Sequence, residues 1–298
     1  MQFDDLLASQ PQLQRNISQA FAARGTTWLA EFPKALQKLV NYWQLRDLQP
    51  IANLTWHFVA TAAQAQRTVV LKMGCDDKLL QREFRVLKHH QAARMVQALD
   101  YSAAYNGLLL QAAHPGITLK SVAQYDVATA YQIYANTIAT LQQSLPAEAD
   151  FPSVAEWCQA LAKPTTLIPA SYSQCAYKLS QHLMATQSVT YLCHADLHLD
   201  NILQHQDTWL MIDPKGIYAE AAFEAAACDL SFDNEVVTTD LLAARSAALA
   251  TVCQLDVSRL RGWIFVRILL ALQWFIEDNL DPQRMLRIAE KFFPLVSA

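Results

Sequence analysis

The sequence predicts an α+β protein of two lobes, a small N-terminal lobe with an antiparallel sheet and a larger, mostly helical C-terminal lobe. Two observations lead to this fold class. Short runs of β-branched and aromatic residues lie close together between residues 54 and 111, as expected for strands that are joined by turns. Beyond residue 116 the apolar residues recur at helical spacing, except in one strand-like stretch from Val189 to Ile212.

The size and composition of the chain agree with a folded protein of this kind. At 298 residues it is longer than a typical domain of about 100 to 200 residues. Hydrophobic residues make up 53% of the chain and charged residues 17%, so the chain has enough apolar surface to form a large core. A short hinge near Gln111 to Gly116 joins the predicted lobes, which comprise residues 1–112 and 113–298.

The N-terminal lobe is predicted to begin with helices and to continue with a hairpin. From Ile17 to Leu45 the apolar residues recur at helical spacing, and Gly25 and Pro33 divide this segment into two or three helices. The aromatic and β-branched run Leu54–Thr61 and the run Arg67–Lys72 then form the two strands of a β-hairpin.

An amphipathic helix follows the hairpin, because apolar residues between positions 79 and 87 share one helical face. This helix carries Glu83. Two further strands are predicted near Val96–Tyr101 and Gly107–Gln111. The sequence His114-Pro115-Gly116 then ends the strand-rich part of the chain.

Charge excludes nucleic acid as the partner. The chain has 23 Lys and Arg residues against 27 Asp and Glu residues, a net charge of −4, and no basic run. Proteins that bind nucleic acid by neutralising phosphates need a basic patch or stripe. A small molecule is therefore the predicted partner.

The sequence predicts a cytoplasmic protein that does not enter the membrane. The longest apolar stretch, Trp263–Ile276, is interrupted by Arg267 and Gln273 and is shorter than the roughly 20 residues that span a bilayer. The first ten residues lack the pattern of a secretory signal. Six widely separated cysteines without a C-x-x-C pair indicate reduced thiols rather than disulfides or a zinc site.

The polar residues that indicate chemistry lie between Tyr191 and Gly216. Two short apolar strands there flank a loop that contains Asp196 and Asn201, and Asp213 follows the second strand. Carboxylates beside buried strands are costly unless a cation compensates them. Phosphoryl transfer needs one carboxylate to orient the acceptor hydroxyl and oxygen ligands to hold magnesium against the phosphates. These residues therefore predict a phosphotransferase that uses ATP and Mg²⁺.

Two motifs in this segment resemble those of the aminoglycoside phosphotransferase family. The first is H-A-D-L-H-L-D-N, residues 194–201, which contains the D-x-x-x-x-N spacing of kinase catalytic loops. The second is I-D-P-K-G, residues 212–216. The resemblance extends over almost the whole chain and is closest to the streptomycin and hydroxyurea phosphotransferase subgroup. It implies a protein-kinase-like fold and transfer of the γ-phosphate of ATP to a hydroxylated small molecule.

The resemblance also implies roles for residues of the catalytic centre. Asp196 corresponds to the catalytic base, and Asn201 and Asp213 correspond to magnesium ligands. Lys72 corresponds to the lysine that binds the α- and β-phosphates, and Glu83 corresponds to the acid that orients this lysine.

Further nucleotide contacts follow from the same resemblance. Residues Asn53 to Val59, among them Asn53 and Thr55, correspond to the loop over the nucleotide phosphates. Gln111 and Ala113 correspond to the hinge positions that offer backbone groups to adenine. Lys215 has two interpretations, contact with the transferred phosphate or neutralisation of nearby acids.

The acceptor is predicted to contact the last long helix. Trp274, Glu277 and Asp278 are three and four residues apart, so one helix face presents an aromatic ring beside two carboxylates. Such a face suits an organic cation, although a core tryptophan beside exposed acids has the same spacing. The resemblance favours a substrate role for these residues and for Glu220.

Two other functions remain open at this point. His194, Asp196 and His198 form an H-x-D-x-H pattern, which is also found in metal-dependent hydrolases. The chain also departs from the family pattern, because Ala195 replaces the usual glycine and no glycine lies between Pro50 and Ala60. A pseudokinase that acts as a binding module is the second alternative.

Overall fold

The computed structural model describes residues 3–52, 54–90, 94–142, 151–163, 165–232, 235–278 and 280–297. It divides into two compact units. The first comprises Met1–Gln91 and Met95–Gly116, and the second comprises Ala92–Arg94 and Ile117–Ala298.

The first unit contains an antiparallel sheet. In the sequence, helices precede its first strand, and another helix lies between its third and fourth strands. Its helices are α1 (Phe3–Ala8), α2 (Pro11–Trp43) and α3 (Asp77–His89). Its strands are β1 (Arg46–Pro50), β2 (His57–Gln64), β3 (Arg67–Gly74), β4 (Ala98–Ser102) and β5 (Gly107–Gln111). The strands lie in the order β1-β2-β3-β5-β4, and all neighbours are antiparallel. The predicted hairpin is β2 and β3, and the predicted amphipathic helix is α3.

The N-terminal helices differ from the prediction. Helix α2 continues through Gly25 and Pro33, and its backbone is non-helical at Ala22, where φ is 45°. A Cβ atom on Gly25 would lie 2.3 Å from the carbonyl oxygen of Ile17. Glycine therefore permits the close approach of the two parts of α2 around this break. Pro33 remains inside the helix, where its ring removes one backbone donor.

The second unit is mostly helical. Its helices are α4 (Leu119–Ala123), α5 (Val127–Ile138), α6 (Val154–Cys158), α7 (Ala170–Ala185), α8 (Ala221–Ala225), α9 (Thr239–Cys253), α10 (Val257–Glu277) and α11 (Gln283–Phe292). Short 3₁₀ turns cover Ala139–Leu141, Gln159–Ala162, Leu199–Asn201 and Phe293–Leu295. The chain enters this unit along β6 (Pro115–Thr118), and its other strands are β7 (Tyr191–Cys193), β8 (Ile202–His205), β9 (Thr208–Met211) and β10 (Ile217–Ala219).

The strands of the second unit form two small sheets. Strand β7 pairs antiparallel with β10, and β8 pairs antiparallel with β9 in a sheet of the order β6-β8-β9. Helix α10 is the central helix, since its side chains Trp263, Phe265 and Leu269 are almost fully buried. Within the described part of the chain, no helix is both long enough and apolar enough to cross a bilayer.

Candidate active site

The strands of the second unit bring the two motifs together. Strand β7 ends at Cys193, and the loop with Asp196 and Asn201 leads directly into β8. Strands β8 and β9 form a hairpin, and the N–H of Ile212 donates to the carbonyl oxygen of Asn201 over 3.0 Å. The hairpin thus returns the chain to Asn201, and Asp213 comes directly after Ile212.

Lys215 joins the two carboxylates. Its Nζ atom lies 3.4 Å from Oδ2 of Asp196 and 2.9 Å from Oδ1 of Asp213. About a third of each side chain is exposed, 36% for Asp196 and 33% for Asp213. Solvent and ligands therefore reach both carboxylates, and the ammonium lowers the repulsion between them.

The arrangement fits a magnesium ion. Asn201 is buried, and its Nδ2 atom donates to the carbonyl oxygen of Asp196 over 2.8 Å. This bond assigns the nitrogen of the amide, so Oδ1 is the atom of Asn201 that is suited to bind a cation. Together with the carboxylate of Asp213 it supplies the hard oxygen ligands that magnesium prefers.

The backbone around the site is strained. Ala195 has a φ of 71° and Asp213 a φ of 60°, both in the left-handed region that residues other than glycine rarely adopt. Ala195, which replaces the usual glycine of the family pattern, therefore adopts a conformation that glycine accommodates more easily. Such strain persists only where the surroundings hold the residue in place.

Glu224 holds the strained peptide. This side chain on α8 is fully buried, and the N–H of Ala195 donates to Oε1 over 3.3 Å and to Oε2 over 3.1 Å. Burial raises the pKa of Glu224 to about 7, and the hydrogen bond from Ala195 and the charge of Arg267 oppose this rise. Sequence reasoning missed Glu224, although a carboxyl group in the apolar run Ala221–Cys228 was a signal for a buried partner.

His194 supports the loop through both ring nitrogens. Nδ1 accepts the N–H of Asp196 over 3.2 Å, so the neutral ring carries its proton on Nε2, which donates to the carbonyl oxygen of Ile212 over 2.7 Å. The side chain is fully buried, and burial lowers its pKa to about 4. Because neither nitrogen is available to a metal, His194 cannot serve in the H-x-D-x-H hydrolase site with Asp196 and His198.

A second acid, Asp229, holds the C-terminal part of the loop between β7 and β8. Oδ2 of Asp229 accepts the N–H of Leu199 over 3.1 Å, at the start of the 3₁₀ turn that carries Asn201. Burial raises the pKa of Asp229. In the same turn, Nζ of Lys120 donates to Oδ2 of Asp200 over 3.2 Å. The loop is thus tied at both ends to neighbouring elements.

In the first unit, Lys72 and Glu83 form an ion pair. The pair joins β3 to α3, and Nζ of Lys72 lies 2.7 Å from Oε2 of Glu83. Only 6% and 4% of the two side chains are exposed. The strand and the helix therefore bring the two side chains together in a buried contact, and their roles towards the nucleotide remain predictions.

The other described residues that are predicted to contact the nucleotide lie at or near strands of the first unit. Gln111 closes β5, where its N–H donates to the carbonyl oxygen of Gln97 over 2.9 Å and its Oε1 accepts the N–H of Gln97 over 3.1 Å. Ala113 follows in the segment after this strand. Thr55 lies in the loop between β1 and β2, and Asn53 lies outside the described residues.

The predicted acceptor residues fall into two groups. Trp274 packs edge-on against Trp157, with ring centroids 5.0 Å apart, and Glu277 and Asp278 follow it at the exposed end of α10. Nζ of Lys163 lies 2.6 Å from Oε1 of Glu277 and lowers the pKa of this carboxyl. We name Trp157, Trp274, Glu277 and Asp278 the acceptor face.

Glu220 has hydrogen-bond partners of its own. Nε of Arg259 donates to its Oε1 over 2.9 Å and to its Oε2 over 2.7 Å, and the indole N–H of Trp263 also donates to Oε1. Nη2 of Arg259 also donates to the carbonyl oxygen of Leu183. Since both carboxylate oxygens already accept hydrogen bonds, the structure gives Glu220 a role in joining α10 to α7 and α8.

Comparison with known proteins identifies the family. Residues 54–279 match the model of the aminoglycoside/hydroxyurea antibiotic resistance kinases. The chain belongs to this family. It is an ATP-dependent phosphotransferase that acts on a hydroxyl group, as the two motifs predicted, and neither the hydrolase nor the pseudokinase alternative is favoured.

Curated relatives of this kinase cover nearly the whole chain. The streptomycin 6-kinase of Streptomyces glaucescens is 26% identical over 286 residues, which are 91% of this chain and 92% of the relative. The streptomycin 6-kinase of Streptomyces griseus is 24% identical over 281 residues, 90% of this chain and 91% of the relative.

Solved structures of similar fold confirm the predicted fold class. A thermostable mutant of aminoglycoside phosphotransferase APH(4)-Ia, in a ternary complex with ADP and hygromycin B, is 14% identical with a TM-score of 0.67. It covers 88% of this kinase and 97% of its own chain. Choline kinase LicA from Streptococcus pneumoniae is 14% identical with a TM-score of 0.68 and covers 90% and 100%.

Proposed function

We propose that this kinase transfers the γ-phosphate of Mg·ATP to a hydroxyl group of a cationic aminoglycoside of the streptomycin type. The observation that carries the proposal is the convergence of Asp196, Asn201, Asp213 and Lys215 in the second unit. The streptomycin 6-kinases that match over about nine tenths of the chain make the 6-hydroxyl of streptomycin the first candidate for the acceptor.

Each residue of the cluster has a distinct task in the proposed reaction. Asp196 accepts the hydrogen bond of the acceptor hydroxyl, which orients the nucleophile for in-line attack. Asn201 and Asp213 would hold magnesium, which would supply positive charge to neutralise the phosphates. Lys215 stabilises the charge on the transferred phosphoryl group. In the first unit, Lys72 binds the α- and β-phosphates and Glu83 fixes the position of its ammonium.

The nucleotide is proposed to contact further parts of the first unit. The loop around Thr55 would offer backbone and hydroxyl groups to the phosphates. The segment from Gln111 to Ala113 would offer backbone groups to adenine.

The six cysteines are all free thiols. Free thiols support the cytoplasm, where ATP is supplied, as the site of the reaction.

The chemistry of the acceptor face favours a cation over hydroxyurea, the other substrate in the name of the family. Hydroxyurea is neutral and small, whereas the guanidinium groups of streptomycin are positive. Burial and the neighbouring Glu277 raise the pKa of Asp278, and within the described residues no cation lies at ion-pair distance from Asp278. A bound cation next to Asp278 would therefore gain an ion pair, and Trp274 and Trp157 would offer their ring faces.

A direct assay tests the proposal. Purified protein is incubated with Mg·ATP and either streptomycin, hydroxyurea or hygromycin B, and the release of ADP is followed. We expect turnover with streptomycin, and NMR of the product is expected to locate the phosphate on the 6-hydroxyl. Turnover with hydroxyurea alone would contradict the assignment of the acceptor. The absence of turnover with any hydroxylated acceptor would contradict the proposed reaction.

A further inference from the structure

The loop between β1 and β2 needs an external support. In the proposed function this loop contacts the phosphates of the nucleotide. It contains no glycine between Pro50 and Ala60. Its side chains are largely exposed at Ile51, Ala52 and Thr55. A loop that presents backbone N–H groups to phosphate must hold them in one orientation, because ordering them on binding costs conformational entropy.

The support comes from the N-terminal arm, which we define as residues 3–21. Leu54 of the loop is 5% exposed and belongs to the same core cluster as Leu13 and Ile17 of the arm. Asn16 lies on the same side of α2 and is 7% exposed. Its Nδ2 atom donates to the carbonyl oxygen of Thr55 over 3.1 Å. The arm thus shares a core cluster with the loop and donates one partly buried hydrogen bond to it.

The orientation of the Asn16 amide is fixed by a neighbour. Nε2 of Gln12, one turn earlier in α2, donates to Oδ1 of Asn16 over 2.7 Å. An amide whose oxygen accepts from Gln12 presents its nitrogen to the loop, so the donor in the bond to Thr55 is assigned by the network. A buried amide whose oxygen and nitrogen both form hydrogen bonds has a single preferred orientation.

The position of the arm is also fixed at its other end. At the break at Ala22 the chain passes so close to itself that Gly25 lies against the carbonyl of Ile17. The match to the family model begins at Leu54, so the arm lies outside the matched segment.

We propose that Asn16 is a positioning residue for nucleotide binding, which holds the carbonyl of Thr55 and thereby orients the glycine-free phosphate loop. The inference rests on the proposed function, since it assigns this loop to the phosphates of ATP. Asn16 acts through Thr55 and does not contact the substrate. Its loss is expected to weaken nucleotide binding without a change in the affinity for the acceptor.

The test compares full-length variants by calorimetric titration with Mg·AMP-PNP and by steady-state kinetics with streptomycin. Asn16→Ala removes the donor, and Asn16→Leu removes it while filling the apolar surroundings, so the second variant tests the hydrogen bond without leaving a cavity. Gln14→Ala is the matched control, because it removes an amide-to-carbonyl bond of 2.9 Å within the arm, from Gln14 to Leu7, that does not reach the loop.

Both Asn16 variants are expected to raise the Kd for Mg·AMP-PNP and the KM for ATP by about three- to tenfold, as expected for the loss of one hydrogen bond. The KM for streptomycin and the affinity of Gln14→Ala for nucleotide are expected to stay at wild-type values. Unchanged nucleotide affinity in the Asn16 variants, or an equal loss in Gln14→Ala, would overturn the inference alone. Wild-type protein that binds no nucleotide would overturn the proposed function and this inference with it.

Discussion

The ammonium of Lys72 lies 2.7 Å from a carboxylate oxygen of Glu83 in an ion pair that is almost completely buried. The two residues are eleven positions apart, and the turn after β3 brings α3 back across the strand. A buried pair of this kind is costly to desolvate, and it becomes strongly destabilising when one partner is removed. A buried pair is weak evidence for stability, which agrees with the role in nucleotide binding proposed for Lys72.

Glu83→Gln tests this relationship. The variant keeps the shape of the side chain but leaves the charge of Lys72 buried without compensation by Glu83. We expect a loss of about 3 kcal/mol in the free energy of unfolding, measured by urea titration, and a raised KM for ATP. Asp77→Asn is the control, since it breaks the exposed pair with Arg24 and is expected to cost less than about 1 kcal/mol. Equal losses in the two variants would contradict the account.

Lys215→Met tests the electrostatics of the proposed magnesium site. The ammonium of Lys215 contacts both Asp196 and Asp213, so it competes with a divalent cation for the same carboxylates. Each partly exposed pair contributes up to about 1 kcal/mol, so its removal is expected to tighten Mn²⁺ binding about tenfold. Electron paramagnetic resonance of Mn²⁺ without nucleotide measures this affinity.

Lys215→Arg keeps the positive charge and serves as the control for that experiment. It is expected to bind Mn²⁺ with nearly wild-type affinity. Lys215→Met is also expected to lower kcat, because the transferred phosphoryl group loses a stabilising charge. Mn²⁺ binding that does not differ between the Met variant and wild type would show that the ammonium does not compete with the ion.

Glu224 gives the stability of the protein a specific pH dependence. Its pKa rises from 4.5 to about 7 on folding, so between these values the folded protein holds a proton that the unfolded chain releases. The stabilising contribution is fully present below the unfolded pKa and is lost as the pH rises through about 7. Relative to Glu224→Gln, wild type is expected to lose up to about 3 kcal/mol from about pH 4.5 to pH 8.

The difference between the stability of wild type and that of Glu224→Gln, measured as a function of pH, isolates the contribution of Glu224. His194 shifts in the opposite direction, to a pKa of about 4, so its contribution to stability grows as the pH rises from 4 towards its ordinary value of 6.5. This contribution is common to wild type and Glu224→Gln, as is the charge of Arg267. Denaturant titrations at several pH values measure the difference. Parallel stability curves would contradict the proton assigned to Glu224.

Trp274→Ala tests the acceptor face. The variant removes the ring beside Asp278 and is expected to raise the KM for streptomycin about three- to thirtyfold, the range of a cation–π contact. The KM for ATP is expected to stay constant. Tyr177→Ala removes an exposed aromatic side chain on α7 and serves as the control. A KM for streptomycin that stays at the wild-type value would contradict the role of Trp274 in the acceptor face.

Much of the fold could be predicted because its signals are local. The strands β2 and β3 and the helix α3 follow from the periodicity of residues 54–89, and the contact between Lys72 and Glu83 needs only one turn of the chain. Asp196, Asn201 and Asp213 meet through a single hairpin, so two short motifs in sequence place them together. Neither inference depends on contacts between distant segments.

The features that were missed depend on distant contacts. The hydrogen bond of Glu224 reaches Ala195 across 29 positions, and that of Glu220 reaches Arg259 across 39. Local composition does not encode such partners. In α2 the strong local signals, Gly25 and Pro33, predicted the wrong positions for the break, because the packing of Gly25 against Ile17 places it at Ala22.

The turnover of Asp196→Asn tests the central claim most directly. The variant keeps the size of the side chain but cannot act as a base, and the matched control is Asp207→Asn in the exposed turn after β8. We expect kcat with streptomycin to fall by about 10² to 10⁴, while the Kd for Mg·AMP-PNP changes little and Asp207→Asn retains wild-type turnover. Wild-type turnover in Asp196→Asn would contradict the catalytic centre proposed for this kinase.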